Sequence, residues 1–231
     1  MLNKLIQDLN KLKSKEKAKI LAGFFKTGKG EYGEGDVFLG ITVPEQRKVA
    51  KKYLDLKLTD IQKLLNSKIH EHRLVALMIL VEQYEKDIRD KKLIVDFYLK
   101  NTKKINNWDL VDSSAHYILG DYLFDKEKDI LYNLLKSDNL WERRIAVIST
   151  FSFLRQGRYA ETLEFSEKLL NDREDLIHKA CGWMLREMGK RDIKVLRKFL
   201  DKFTGKMPRT MLRYSIEKFS KPEREKYLKK K

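Results

Sequence analysis

The sequence contains one cysteine and three prolines among 231 residues. A lone cysteine, Cys181, cannot form an intramolecular disulfide, so the composition favours a reducing compartment. No proline lies between Pro44 and Pro208, and therefore no pyrrolidine ring removes a backbone donor from a helix in that stretch. These absences predict a largely helical protein, and we expect it in the cytoplasm.

Long apolar runs are also missing. A transmembrane helix needs about 20 consecutive apolar residues, and the sequence has no such run. The N-terminus, MLNKLIQDLNKLKSKEKAKI, is amphipathic and charged, unlike a signal peptide with an apolar core. We therefore expect no membrane among the partners of this protein.

Acidic residues are too few to balance the basic ones. Fifty Lys and Arg against 34 Asp and Glu give a formal charge of +16 at pH 7. Such a charge favours polyanions through counterion release, so nucleic acid is the leading partner and a nucleoid-associated location is expected. An anionic membrane surface and a general lysine bias of the source organism are the alternatives.

Apolar residues recur at helical spacing along most of the chain. Ser14 is a candidate N-cap between two helices in residues 2–26, and Thr42 with Glu45 forms a capping box around Pro44. Further periodic segments cover residues 59–65, 71–84, 91–99, 108–119 and 130–135. No strand is predicted, so the fold class is all-α.

A repeat becomes visible when five helical segments are aligned on their starts. The segments are EHRLVALMIL, NNWDLVDSSA, WERRIAVIST, HKACGWMLRE and LRYSIEKFSK. Their markers Arg73, Trp108, Arg143, Lys179 and Tyr214 are separated by 35, 35, 36 and 35 residues. This period predicts a HEAT-like α-solenoid with a concave basic face. We expect one domain over residues 1–231, with about six helical pairs, a mobile basic tail at 221–231, and a monomer.

Motifs for nucleotides and metals are weak. Gly28, Gly30 and Gly33 match G-x-G-x-x-G, but a lysine-rich helix precedes them where that motif needs a strand, so we interpret residues 28–40 as an inter-helix loop. The histidines form no H-E-x-x-H motif, and Cys181 is interpreted as a small packed residue. We expect no metal and no cofactor.

One set of residues has the composition of a reaction site. Trp108 and Asp112 are four residues apart and so project from one face of one helix. Trp183 and Arg186 occupy the corresponding face two repeats later, and the helix between begins with Arg143 and the residue after it, Arg144. Two tryptophans at equivalent positions of the repeat, with a carboxylate one helical turn from the first, indicate a surface that faces a ligand. The plain alternative for each tryptophan is a core position.

Several long blocks resemble the AlkD-like DNA alkylation repair family. These are GEGDVFLGITVPEQRKVAKKY, INNWDLVDSSAHYILGDYL, LWERRIAVIST, HKACGWMLREMGKRD and MPRTMLRYSIEKF. The resemblance spans roughly residues 30–220. It implies a HEAT-like solenoid and a monofunctional glycosylase that acts on N3- and N7-alkylated purines in duplex DNA.

The resemblance also implies roles for individual residues. Asp112 would be the catalytic carboxylate, with Trp108 and Trp183 as its aromatic neighbours and Arg144 as the arginine of the cleft. Arg143 remains the alternative for that arginine. Arg143, Lys179, Arg73 and Arg186 are the expected DNA contacts.

The implied chemistry suits these residue types. An alkylated purine carries a positive charge, so it departs as a neutral base and needs no general acid. Positive charge develops instead on the deoxyribose, as in glycoside hydrolysis, and a carboxylate can stabilise it. A noncatalytic module for damaged or branched DNA and a protein-binding scaffold are the two alternatives, against which the charge and the Trp–Asp pair count.

Overall fold

The computed structural model describes residues 1–229, and the chain divides into two compact units. The first unit is Met1–Ile118 and the second begins at Leu119. The single domain expected from the sequence stays a prediction. Of the predicted basic tail, residues 221–229 form a helix, whereas residues 230 and 231 lie outside the described residues.

The first unit is built from seven α-helices and a short 3₁₀ turn. They are α1 Leu2–Lys11, α2 Lys15–Phe24, α3 Val43–Ala50, α4 Leu58–Leu65, α5 His70–Glu85, α6 Lys91–Lys100, the 3₁₀ turn Thr102–Lys104 and α7 Trp108–Asp112.

Helix α5 forms the centre of the first unit. Every residue from His70 to Val81 is buried, and α5 packs against α3, α4, α6 and α7. The segment before α3 is fastened to α5 by Glu71, whose carboxylate accepts hydrogen bonds from the amides of Leu39, Gly40 and Ile41 at 2.9, 2.8 and 3.2 Å. Three backbone donors satisfy a carboxylate that would otherwise be costly to bury.

The second unit continues the helical pattern. Its helices are α8 Asp121–Leu123, α9 Asp129–Leu135, α10 Leu140–Arg155, α11 Ala160–Lys168, α12 Asp175–Gly189, α13 Ile193–Phe203, α14 Arg209–Ser215 and α15 Lys221–Lys229.

Helices α10, α12 and α14 pack side by side, and α9, α11 and α13 pack against them. Gly182 allows a close approach of α12 to α14, since a Cβ at this position would lie 2.6 Å from the Met211 carbonyl oxygen. The last three aligned repeat segments begin in these three adjacent helices, as a helical-repeat fold requires.

The all-helical fold is confirmed, and no strand occurs within residues 1–229. An isolated bridge joins Val37 to Ile69. The predicted caps are present: the Ser14 side chain accepts from the amide of Lys17, and Thr42 and Glu45 form the capping box of α3. Among the described helices, none has the length and apolarity needed to cross a membrane.

One predicted helix is interrupted. The sequence predicts a continuous helix over residues 108–119, but α7 ends at Asp112 and a π-helical turn, His116–Gly120, follows. The interruption lies at a serine pair. The Ser114 hydroxyl donates to the Leu110 carbonyl at 2.6 Å, and the Ser114 amide bonds three residues back to Val111. A side-chain donor competing for helix carbonyls explains the break.

Candidate functional site

Helix α7 begins at an asparagine cap. The Asn107 side-chain oxygen accepts a hydrogen bond from the Trp108 amide at 2.8 Å, and Asn107 is extended, with φ −153° and ψ 157°. Trp108 and Asp112 are the first and last residues of α7, and both are half-buried. The structure thus places the two residues on one short helix, as predicted.

The ring of Trp108 packs on the end of α2. It stacks on Phe25, with ring centroids 5.2 Å apart and an interplanar angle of 20°, and it meets Phe24 edge-on at 5.9 Å. Phe24 is 61% exposed although it is a large apolar residue. Phe24 and the indole of Trp108, which is supported from behind by Phe25, therefore form an apolar surface that is available to a ligand.

Asp112 lines a polar cavity of about 420 Å³. Arg47 and Lys51 of α3 contribute positive charge to the same cavity. Glu82 and Glu85, from the last turns of α5, contribute negative charge. The cavity can therefore accept groups of either sign, and the sequence analysis did not identify its two cations.

A second cluster in the first unit centres on His70, the first residue of α5. Its Nδ1 lies 3.0 Å from Asp36 Oδ2 and its Nε2 lies 2.8 Å from Asp109 Oδ2. Arg73, one of the expected DNA contacts, is 4% exposed and donates to both oxygens of Asp36 at 2.7 Å. The cluster thus joins the glycine-rich loop, α5 and α7.

The charges of this cluster shift its pKa values. Burial lowers the pKa of His70, but its hydrogen bonds with Asp109 and Asp36 outweigh burial and raise that pKa to about 9 from 6.5. Burial acts to raise the pKa of Asp36, yet its bond with His70 and the charge of Arg73 leave that pKa below its ordinary value of 3.8. Opposite charges and hydrogen bonds win over desolvation in both residues.

The glycine-rich loop binds its own carboxylates. The amides of Gly28 and Gly30 donate to Glu31 and Glu34, each at 2.8 Å. In a dinucleotide fingerprint such amides face a phosphate. With no strand in residues 1–229 and these two donors already bonded, the loop interpretation fits and a nucleotide site does not.

In the second unit, Arg143 and Arg144 have different environments. Arg143 pairs with Asp172 through Nε at 2.7 Å and also donates to the carbonyls of Ser137 and Asp138 at 2.8 and 2.9 Å. Arg144 is 5% exposed, and its guanidinium donates to the Leu176 carbonyl. Both guanidinium groups are held by fixed partners.

Trp183 is half-buried on α12, and its indole Nε1 donates to Glu187 at 3.2 Å. The two other expected DNA contacts of this helix are ion-paired, Lys179 with Asp175 at 2.9 Å and Arg186 with Glu217. Helices α10 and α12 are neighbours, so Arg144 and Trp183 lie on adjacent helices of one unit. Trp108 and Asp112 belong to the other unit.

An aromatic and basic cluster surrounds Trp183 that the sequence analysis missed. The ring of Phe151 lies 6.0 Å from that of Trp183. The guanidinium groups of Arg155 and Arg191 lie over Phe151, at 4.6 and 6.0 Å from its centroid. Aromatic rings interleaved with cations are typical of nucleic-acid contact surfaces. The spacing of Phe151 and Arg155, one helical turn, is the signal that could have found the pair.

Metal ligands do not cluster in the described part of the chain: no group of three or more His, Cys, Asp or Glu side chains there could hold an ion. Cys181 is fully buried, and burial raises the pKa of its thiol to about 12. A protonated thiol in the core fits the interpretation of Cys181 as a packing residue.

Comparisons with known proteins point in one direction. The family model described as DNA alkylation repair enzyme matches residues 5–219. A solved structure described as a predicted DNA alkylation repair enzyme from Enterococcus faecalis is 19% identical, with a TM-score of 0.72 over 90% of this chain and 97% of that one. The crystal structure of smu.31 from Streptococcus mutans UA159 is also 19% identical, with a TM-score of 0.52 over 94% and 98% of the two chains. At such identities the two structures show a shared fold. No curated protein sequence matches the chain.

Proposed function

Because this chain belongs to the family of DNA alkylation repair enzymes, we propose that it is a monofunctional DNA glycosylase. It would hydrolyse the N-glycosidic bond of N3- and N7-alkylated purines in duplex DNA. The observation that carries the proposal is Asp112, a half-buried carboxylate that ends the helix begun by Trp108 and lines a cavity with Arg47 and Lys51.

The leaving group explains why one carboxylate suffices. Alkylation at N3 or N7 makes the purine cationic, so the C1′–N bond breaks with its electron pair going to the base, which leaves neutral. Water then adds to C1′ and loses a proton to solvent. Neither step requires a general acid, in contrast to ordinary glycoside hydrolysis.

Asp112 stabilises the positive charge that develops on the deoxyribose. The carboxylate contributes more in the transition state than in the ground state, because the sugar acquires its charge only as the bond breaks. The same oxygen atoms can orient the attacking water. Trp108, on the same helix as Asp112, presents an electron-rich face that attracts a cationic sugar and packs against its edge. Trp183 belongs to the other unit, and the role that the family resemblance implies for it stays a prediction.

The repeat favours Arg144 over Arg143 as the cleft arginine. Arg143 donates to a carbonyl six residues earlier, that of Ser137, as Arg73 does to Ser67. That bond recurs because of the fold and needs no substrate. Arg144 stands 70 residues after Leu74, a buried apolar position of α5, and its guanidinium donates to the Leu176 carbonyl, a bond that a leucine at the equivalent position cannot make. We assign it to a phosphate at the lesion.

Long-range attraction of DNA depends on the charge of the whole chain. The net charge of +16 favours nonspecific binding that weakens with salt. Lys179, Arg186, Arg155 and Arg191 are the proposed phosphate contacts of the second unit. Arg73 and Arg143 are assigned to holding helix starts, since their guanidinium groups donate to the backbone carbonyls of Ser67 and Ser137 in addition to their carboxylate partners. A concave basic face and a monomeric, nucleoid-associated protein stay predictions.

The test is release of methylated bases from methylated duplex DNA by the purified protein. We expect Asp112→Asn to lower the single-turnover rate by about 100-fold or more, with little change in the Kd for DNA. Asp125→Asn, a change of an exposed carboxylate in the other unit, is the matched control and should leave the rate unchanged.

Two results would contradict the proposal. Full activity of Asp112→Asn would remove the catalytic assignment, and efficient excision of uracil, a neutral base, would contradict dependence on a cationic leaving group. Tight, salt-sensitive DNA binding without any base release would favour the noncatalytic DNA-binding module.

A further inference from the structure

We infer that His70 is a positioning residue for the proposed site: as an imidazolium held between Asp36 and Asp109, it fixes the start of α7 and with it Trp108 and Asp112. This inference rests on the proposed function for its effect on catalysis. We call the His70 ring held between Asp36 and Asp109 the clamp. The clamp lies in the first unit and can be measured without DNA.

Both ring nitrogens of His70 face carboxylate oxygens. The Nδ1 to Asp36 and Nε2 to Asp109 distances of 3.0 and 2.8 Å are hydrogen-bond distances. A carboxylate accepts and an unprotonated ring nitrogen also accepts, so both contacts are satisfied only when each nitrogen carries a hydrogen. Arg73, bonded to both oxygens of Asp36, keeps that carboxylate ionised. The geometry therefore selects the imidazolium.

The charges balance only in that state. Asp36 and Asp109 contribute two negative charges, and Arg73 and the His70 imidazolium contribute two positive ones. The side chains of His70, Asp36 and Arg73 are 2%, 6% and 5% exposed, so water does little to screen them. The Asp109 side chain is 15% exposed. A neutral His70 would leave Asp36 and Asp109 with one compensating charge between them, which is costly because Asp36 is shielded from water.

Two paths connect His70 to the proposed site. Asp109 follows Trp108 directly in α7, so its bond to His70 fixes the first turn of that helix. The second path runs through aromatic rings. His70 lies 4.9 Å from Phe25, centroid to centroid, and Phe25 stacks on Trp108. Phe38, from the glycine-rich loop, also stacks on His70, with ring centroids 4.7 Å apart.

Few other charged groups approach His70. From its own helix they are Arg73, Glu71 and His72. The Arg73 guanidinium lies 3.5 Å from His70 Nδ1, and its charge acts to lower the pKa of the ring. The Glu71 carboxylate is bound by three backbone amides, and His72 Nδ1 lies 3.0 Å from the Ser67 hydroxyl. From α2, Lys17 lines the same apolar cavity as His70. Asp36 and Asp109 are the two carboxylates in contact, so they determine the protonation state of the ring.

The direct measurement is NMR of the histidine side chains in the free protein, together with the indole signal of Trp108. We expect the His70 ring to stay doubly protonated at pH 8 and to lose its proton near pH 9, with the Trp108 indole signal shifting in the same transition. A His70 that titrates near 6.5, or a Trp108 signal that does not follow it, would overturn the clamp.

The catalytic readout compares two glutamine variants on one helix. His70→Gln should lower the base-release rate by about 10-fold with an unchanged Kd for DNA. The wild-type rate should fall above pH 9 as His70 loses its proton, and the rate of His70→Gln should lack that fall. His72→Gln, a buried histidine with no carboxylate partner in contact, controls for packing and should retain the profile of the wild type.

A failed fold or a failed function can be recognised. If His70→Gln does not fold, Asp109→Asn tests the same clamp, since it should lower the His70 pKa and shift the Trp108 signal. Absence of base release by the wild type would refute the proposed glycosylase while the NMR result still decides the clamp. Equal rates and pH profiles for His70→Gln and His72→Gln would refute the positioning role.

Discussion

The starts of α5 and α10 lie 70 residues apart in sequence. Both are held by the same two hydrogen bonds to a serine, which we call the fastening, and they differ in the residues around it. In each unit an arginine in the first turn donates to the carbonyl of a serine six residues earlier, Arg73 to Ser67 at 3.0 Å and Arg143 to Ser137 at 2.8 Å. Each serine hydroxyl also accepts from the amide two residues later, at 3.1 Å. The fastening repeats because the helical pair repeats.

The residues around the fastening differ between the two starts. Arg73 pairs with Asp36, which precedes α5 in the chain, whereas Arg143 pairs with Asp172, which follows α10. Position 70 holds a histidine bound by two carboxylates, and the equivalent position 140 holds a leucine. The two helix starts therefore share the hydrogen bonds that hold them and differ at the adjoining positions, where function can be added.

Removing the arginine should affect the α5 start most. Arg73→Ala removes one of the two cations bonded to Asp36 and leaves only His70, and breaking a buried pair in this way costs about 3–5 kcal/mol. Arg143→Ala should cost less, because the Arg143 side chain is 13% exposed against 5% for Arg73. Urea unfolding followed by circular dichroism measures both, and an equal loss would contradict the difference between the two starts.

Alkaline pH should weaken the α5 start alone. The folded pKa of His70, about 9, lies above its ordinary 6.5. Its protonation therefore stabilises the fold fully below pH 6.5, and that contribution is lost as pH rises through 9. We expect the first unit to lose roughly 2–3 kcal/mol between pH 7 and pH 10. Amide hydrogen exchange, corrected for the pH dependence of intrinsic rates, should show the loss around α5 and no such loss around α10. His70→Gln should abolish it.

The serine of the fastening should matter least and about equally in the two units. Ser67→Ala and Ser137→Ala each remove one acceptor of a backbone amide, which is worth about 1 kcal/mol. Each hydroxyl has one further contact: that of Ser137 donates to Glu142 at 2.5 Å, and that of Ser67 lies 3.0 Å from His72 Nδ1. The bond to a carboxylate is the stronger of the two, so the loss at Ser137 should be slightly the larger. Thermal unfolding of the two variants, compared with the wild type, would show whether the fastening is equivalent in both repeats.

Much of this architecture was accessible from residue patterns. The lack of proline between Pro44 and Pro208, the caps at Ser14 and Thr42, and the recurring segments predicted an all-helical repeat, which is confirmed. The family resemblance is confirmed as well. The roles assigned to Asp112, Trp108, Arg144 and Trp183 stay predictions that base release can test.

Other features depended on contacts between distant residues. Asp36, His70 and Asp109 are 34 and 39 residues apart along the chain, and no local pattern signals that they meet. Neither the break in the helix after Asp112 nor the stacking of Phe25 on Trp108 was predicted. A serine pair can lie inside a helix, and it interrupts the helix only when a hydroxyl bonds to a helix carbonyl, as that of Ser114 does here. The sequence does not show which of the two occurs.

The sequence by itself determined the helical period, the basic charge and the family, since these depend on residue type and spacing along the chain. The tertiary structure alone decided which arginine holds a helix and which is buried at an apolar position, and which histidine becomes charged. The reason is physical: a pKa or an ion pair depends on burial and on the few groups within hydrogen-bond distance, and folding brings those groups from elsewhere in the chain.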